Sequence, residues 1–211
     1  MNKFMKIAGI LVVVAAATAS GIWFSQWWHQ DQQSVPDDID ALVLPQPRDI
    51  SPFTLTGQDG QPFTLEDLKG KWSFVFFGYT HCPDVCPTTL AMLNNVAQML
   101  QKQDGGLKDV QFVFVSVDPE RDSPKQIGEY VAYFNKAFIG ATGKRDQLDQ
   151  LAKQMSAMYF INKKPGQKEY TVDHSASIVL TQPDGKLRAL FSPPHIPAKI
   201  VKAFDAIREH Y

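Results

Sequence analysis

The sequence predicts a mixed α/β sandwich carried behind a single N-terminal membrane-spanning helix, and three observations predict it. From Phe53 onward, apolar runs of strand length alternate with amphipathic stretches of helical period, closing on an antiparallel hairpin and a last helix. Ile7 to Gln30 contains no Asp, Glu, Lys or Arg. Two cysteines, Cys82 and Cys86, stand where an apolar strand-length run gives way to a helix.

A chain of 211 residues, 44% of them hydrophobic, is long enough for one ordinary packed domain and an appendage. Its expected parts are an anchor with a short cytoplasmic tail (1–30), an acidic, proline-containing linker (31–51) and a globular domain (52–211). The charge-free run can cross a bilayer. Lys3 and Lys6 before it place the N-terminus in the cytoplasm, and Trp23, Trp27 and Trp28 form an aromatic belt at the far interface. Ala17-Thr18-Ala19 also offers a small-residue cleavage site. The anchor is preferred, because cleavage there would leave Ile22-Trp23-Phe24 and two more tryptophans on a free N-terminus. The expected setting is a bacterial inner-membrane protein, single-pass, with its C-terminal domain in the periplasm. The linker shows no sustained periodicity and reads as a tether.

The elements follow in order. Phe53–Thr56 and Pro62–Leu65 flank Gly57-Gln58-Asp59-Gly60 as a hairpin with an Asp-Gly turn. Trp72–Gly78 is an apolar, aromatic run suited to a strand buried on both faces. Beyond the cysteines, Pro87 sits near a first helical turn, and Leu90, Leu93, Val96, Ala97 and Leu100 recur at helical spacing until Gly105-Gly106. Val110–Val117 is a second buried strand. Ser123-Pro124 reads as an N-cap and first helical residue for a helix carrying Ile127, Val131 and Phe134. Phe138–Gly140 is a short strand, and Arg145–Met158 an amphipathic helix. Glu169–Val172, Ser177–Thr181 and Lys186–Phe191 are strands, the last two joined by Pro183-Asp184-Gly185. Pro197–Glu209 is a helix with Ile200, Val201, Phe204 and Ile207 on one face.

The net charge is −1 and the basic residues are scattered, so there is no basic stripe of the kind that nucleic acid requires. The chemistry lies with the cysteines. At i and i+4 on a helical turn their alpha carbons stand about 6 Å apart, so the sulfurs can share a metal or close a disulfide. Backbone N–H groups at a helix start favour thiolate, which is both nucleophile and metal ligand. On these residues alone copper, zinc, disulfide exchange and a plain disulfide all remain open.

Gly78-Tyr79-Thr80 with Cys82-Pro83-Asp84-Val85-Cys86-Pro87, then Val117-Asp118-Pro119-Glu120-Arg121-Asp122-Ser123-Pro124, then Val172-Asp173-His174-Ser175 together resemble the Sco/SenC family of copper chaperones. The likeness runs from about Pro52 to the last helix and takes in the anchor. It implies a thioredoxin-like fold in which Cys82, Cys86 and His174 bind Cu(I) or Cu(II). The implied recipient is the dinuclear copper centre of cytochrome c oxidase, in its copper-bearing subunit, or another copper chaperone. It also allows action on that centre's cysteines as a thiol reductant. Soft thiolates suit Cu(I), and an added imidazole makes the site acceptable to Cu(II). Structural zinc would want four closed protein ligands, and only three are present without recruiting His81.

His174 is expected in a loop facing the cysteines, between the strands before and after it. Asp173 beside it is a candidate to orient the imidazole from the second shell, or a turn-forming Asp. His81 reads as a modulating or exposed residue, and His195, in a proline-rich turn, as structural. Asp118 and Asp122 read as turn and cap acceptors with Arg121 in an ion pair. Met155 and Met158 read as core. Besides a copper metallochaperone, the pattern admits a thiol-disulfide oxidoreductase with Cys82 and Cys86 as its redox pair and disulfide. A thiol peroxidase is the more distant reading. Three residues between the cysteines, and a histidine with no required part in dithiol exchange, favour the metal.

Overall fold

The computed structural model describes residues 16–24, 40–103, 105–167 and 169–211. Its strands in chain order are β1 (Leu42–Arg48), β2 (Thr54–Gly57), β3 (Pro62–Thr64), β4 (Trp72–Gly78), β5 (Val110–Ser116), β6 (Ile139–Thr142), β7 (Tyr159–Asn162), β8 (Thr171–His174), β9 (Ile178–Thr181) and β10 (Leu187–Phe191). The domain's helices are α1 (Val85–Gln101), α2 (Pro124–Phe134), α3 (Arg145–Gln154) and α4 (Pro197–His210).

The two continuous apolar runs become β4 and β5, parallel neighbours paired from Trp72↔Val110 to Gly78↔Ser116 and buried along their whole length. Such strands read as unbroken hydrophobic segments because helices or loops cover both sheet faces. The full sheet runs β1-β10-β9-β4-β5-β6-β2-β3. On one face Trp72 and Phe74 receive Phe204 of α4, with ring centroids 5.7 and 5.2 Å apart. Phe114 stands 5.6 Å from Tyr130 of α2. Ser123 caps α2 as expected, its hydroxyl accepting from the Gln126 N–H at 3.3 Å, with Pro124 in the first turn.

Several elements differ from expectation. Residues 42–48, assigned by composition to the linker, form an edge strand antiparallel to β10. Pairing with β10 overrides the polar, proline-bearing composition, and Pro45 and Pro47 lie where the register breaks between Val43 and Arg48. α3 stops at Gln154 rather than at Met158. Ser156 takes a left-handed conformation (φ 54°), and the Ala157 and Ser156 N–H groups donate to Ala152 O and Lys153 O at 2.8 and 3.3 Å. This is the Schellman ending that glycine ordinarily supplies. The chain then turns into β7, so Met155 is buried but Met158 is exposed and not core.

The expected anchor lies largely outside the described residues, as do Lys3, Lys6, Trp27 and Trp28. Residues 16–24 are helical, with Ile22, Trp23 and Phe24 exposed. Among the described residues no helix is long and apolar enough to cross a membrane.

Candidate metal centre

β4 ends at Gly78, and that glycine decides where the second sulfur lies. A Cβ placed on Gly78 would meet Cys86 Sγ at 2.6 Å and Phe114 Cε2 at 2.8 Å. The absent side chain is the space the thiol fills. After Gly78 the chain makes a turn in which the Cys82 N–H donates to Tyr79 O at 3.3 Å, and α1 then begins at Val85. Asp84, the N-cap residue, makes no side-chain cap bond. Its place is taken by sulfur: the Cys86 N–H, free at the helix start, donates to Cys82 Sγ at 3.4 Å. The helix opening thus faces Cys82, while Cys86, on the first turn, is fully buried beneath it.

The third group arrives on a separate element. β7 and β8 form a two-stranded hairpin that is not hydrogen-bonded into the main sheet, and His174 is its last residue, paired with Tyr159. The histidine therefore sits on a strand rather than in the expected loop. Strand alternation buries Val172, points His174 inward and leaves Asp173 exposed. His174 Nε2 lies 3.1 Å from Cys86 Sγ. Its ring meets Phe76 and Tyr79 edge-on, with centroids 5.8 and 6.0 Å away. Nδ1 lies 3.2 Å from Ser175 O, a contact that holds the ring with Nε2 toward the sulfurs. The orienting partner is this carbonyl. Asp173 is not that partner: it accepts from Asn162 Nδ2 at 2.8 Å on the outer face of the hairpin.

Among the described residues, Cys82, Cys86 and His174 bring three donor atoms within 4.8 Å of one another. Both cysteines are free thiols. They are unlike in charge. Hydrogen bonding from Cys86 first, then from His174 and from the backbone N–H groups of Cys86 and Asp84, holds Cys82 down to about 4 against the opposing effect of burial. Cys86 is pushed up, first because it shares its proton with Cys82 and then by burial. The environment thus favours thiolate at the half-exposed Cys82 and thiol at the buried Cys86. Because the folded state lowers the Cys82 value, its own contribution to stability is lost as pH falls toward about 4 and is full by the ordinary thiol range of about 8.5, above which the raised Cys86 acts in the opposite sense. The metal-free reduced protein is expected to be alkylated at Cys82 first, at a rate nearly flat between about pH 6 and 8. A rate falling about tenfold per pH unit, as for an ordinary thiol, would contradict this charge assignment.

Residues outside the donor set support the site. Thr80 donates its N–H and hydroxyl to Asp122 at 2.8 and 2.6 Å. His81 is outside the donor set, its Nδ1 3.3 Å from Asp122 Oδ1. His195 Nε2 lies 2.7 Å from Ala176 O and so holds the segment just after His174. Arg121 does pair with Asp118, at 2.5 Å, and Tyr170 donates its hydroxyl to Asp118 at 2.6 Å. Burial, then that bond, pushes Tyr170 up to about 12, so it keeps the proton it donates.

A family model described as SCO1/SenC matches residues 44–209. The chain is 37% identical over 164 residues to a candidate copper-binding protein of Stutzerimonas stutzeri, a match covering 78% of this chain and 79% of that one. It is 37% identical over 140 residues to the mitochondrial SCO1 homolog of Homo sapiens, covering 66% of this chain and 46% of that protein, so it spans less than half of that relative's length. Among solved structures, Arabidopsis thaliana ScoI with copper bound superposes with a TM-score of 0.70 at 33% identity, covering 76% of this chain and 98% of the other. The mixed α/β, thioredoxin-like architecture is shared with it.

Proposed function

The chain belongs to the SCO1/SenC family, and from that membership we propose that it is a copper metallochaperone whose ligands are Cys82, Cys86 and His174. The observation that carries the reading is the convergence of two sulfurs and one imidazole nitrogen within 4.8 Å, from two elements far apart in sequence. Two thiolates suit Cu(I), and the imidazole lets the same site hold Cu(II). The copper is cargo. Cys82, at the half-exposed side, is the ligand an incoming partner's donor displaces first, while Cys86 and His174 keep hold from beneath. The recipient that family membership suggests is the copper-bearing subunit of cytochrome c oxidase, or a further copper chaperone in the relay.

The membrane setting belongs to the same reading. The uncharged run from Ile7 to Gln30, with Lys3 and Lys6 before it, supports an inner-membrane anchor that leaves the domain in the periplasm. In such an oxidising compartment the thiols must be reduced before they take copper.

A second reading, thiol-disulfide exchange, is favoured by the charge division within the pair. Cys82 thiolate attacks a target disulfide sulfur, forming a mixed disulfide and releasing one target thiolate. Cys86 gives up its proton and attacks the Cys82 sulfur. The second target thiolate leaves, so the target disulfide has been reduced by two electrons to two thiols, and Cys82–Cys86, oxidised by the same two electrons, is left as a disulfide.

Titration of the reduced chain with Cu(I) and with Cu(II) tests the first reading, with one equivalent of each expected. A reduced protein that retains no copper overturns it. Stoichiometric reduction of a copper-free target disulfide, without copper transfer, would favour the second.

A further inference from the structure

The loop between β5 and α2 contains two carboxylates that are essentially inaccessible, Asp118 at 0% and Asp122 at 1% exposure. A carboxylate withdrawn from water is costly unless its oxygens are filled by donors. Both are filled, and the donors divide cleanly. Asp122 receives the Ser116 hydroxyl at 2.5 Å, together with the Thr80 N–H and hydroxyl and the neighbouring His81 ring. Apart from Ser116, these donors lie one or two residues before Cys82. Asp118 receives Arg121 Nε at 2.5 Å and the Tyr170 hydroxyl at 2.6 Å. Arg121 then reaches onward: Nη1 donates to Tyr170 O at 2.9 Å, and its guanidinium carbon lies 3.6 Å from the centroid of the Tyr170 ring. Tyr170 stands four residues before His174.

The two halves of the donor set therefore hang from one five-residue loop by separate carboxylates. This matters most for the histidine half, because the β7–β8 hairpin has no ladder bonds to the main sheet. Its position is set by side chains: Arg121 and Asp118 on Tyr170, the ion pair of Lys163 with Glu120, Arg145 over the Tyr159 ring, and His195 on Ala176 O. Three of these grips begin on residues 118–121.

We infer that residues 118–122 are the positioning device of the site, Asp122 placing the cysteines and the Asp118–Arg121–Tyr170 cluster placing His174. The inference rests on the copper reading for its consequence but on the metal-free geometry for its substance. The two carboxylates take different donors, so the halves can be disturbed largely one at a time; Arg121 also lies 5.6 Å from the Tyr79 ring centroid, and Tyr170→Phe is the variant that leaves that contact in place. Disturbing the histidine half changes how well the site holds Cu(II), which uses the imidazole, and spares Cu(I), which two thiolates hold. Disturbing the cysteine half weakens both.

The test uses the full chain, reduced, in four forms: wild type, Arg121→Lys, which keeps the charge but loses the two-directional fork, Asp122→Asn, which keeps the shape but loses an acceptor, and Tyr170→Phe. Each is read by thermal melting, Cu(II) titration, Cu(I) competition and the rate of Cys82 alkylation at pH 7 without metal. Arg121→Lys is expected to weaken Cu(II) about tenfold or more, a loss of the size seen for outer partners of metal ligands. Its Cu(I) affinity and Cys82 alkylation rate stay within about threefold of wild type, the scatter allowed for an undisturbed half. Asp122→Asn is expected to weaken both oxidation states and to change the alkylation rate. Tyr170→Phe, which removes only the hydroxyl, follows Arg121→Lys to a smaller extent. If all variants lose Cu(I), Cu(II) and alkylation rate in step with melting temperature, the loop is merely structural and the inference fails. If wild type itself binds no copper, the proposed function fails instead. Alkylation still decides the positioning claim then, since a rate altered equally by Arg121→Lys and Asp122→Asn overturns it.

Discussion

Replacing His174 with alanine is expected to lower the affinity for Cu(II) by more than about 100-fold, since even the outer partners of metal ligands are worth 10–100-fold. The imidazole is the only nitrogen donor among the three converging groups, and its Nε2 stands 3.1 Å from the buried sulfur. Cu(I) binding should persist, because two soft thiolates are sufficient to retain it. The midpoint potential of the Cys82–Cys86 couple should move only modestly, since the ring takes no electrons and its hydrogen bond ranks below that of Cys86 in holding Cys82 ionised. Spectroscopic titration with Cu(II), alongside a thiol redox titration, checks both halves. An unchanged Cu(II) spectrum would remove His174 from the ligand set.

Gly78→Ala is the second substitution with a large expected effect, and it acts without touching a ligand by name. Its methyl would have to occupy space 2.6 Å from Cys86 Sγ and 2.8 Å from Phe114 Cε2. Neither neighbour can retreat easily: Cys86 is fixed on the first turn of α1, and Phe114 is 1% exposed between Phe76 and Tyr130. Overpacking of this kind costs about 1–3 kcal/mol. The cost falls on the sulfur that must hold the metal, so copper affinity should fall together with thermal stability. Calorimetry and Cu(I) competition on the same protein measure both. A variant that melts lower but binds Cu(I) as wild type does would mean that the helix, not the thiol, had moved.

Much of the fold was legible because its core is built from uninterrupted local patterns. Trp72–Gly78 is the observed strand to the residue, and Ser123-Pro124 starts α2 by the capping chemistry those residue types possess. The failures have physical causes of their own. β1 has the composition of a linker because its strand character comes from main-chain pairing with β10, more than a hundred residues away, rather than from its side chains. The end of α3 is invisible in the sequence because its C-terminal stop is a left-handed serine where glycine would be the visible signal. β7, at Tyr159–Asn162 just past that range, has no counterpart among the expected strands, and so neither has the hairpin on which His174 rides.

At the site, Cys82 and Cys86 could be singled out from their spacing and their place at a helix start, since both are properties of a few consecutive residues. The pairing of that locus with His174, 88 residues beyond Cys86, came from likeness to a family and not from any local rule. Covalent spacing, periodicity and capping preferences are short-range quantities, and they determined the strands at the centre, most of the helices, the thiol pair and the charge-free N-terminal run. Only the folded chain decided that Ser175 O rather than Asp173 orients the imidazole. It also decided that Gly78 yields its side-chain volume to a sulfur, and that two buried aspartates brace opposite halves of one site. Each depends on which side chains meet across large separations in sequence. Strand alternation and close packing settle that, and composition does not.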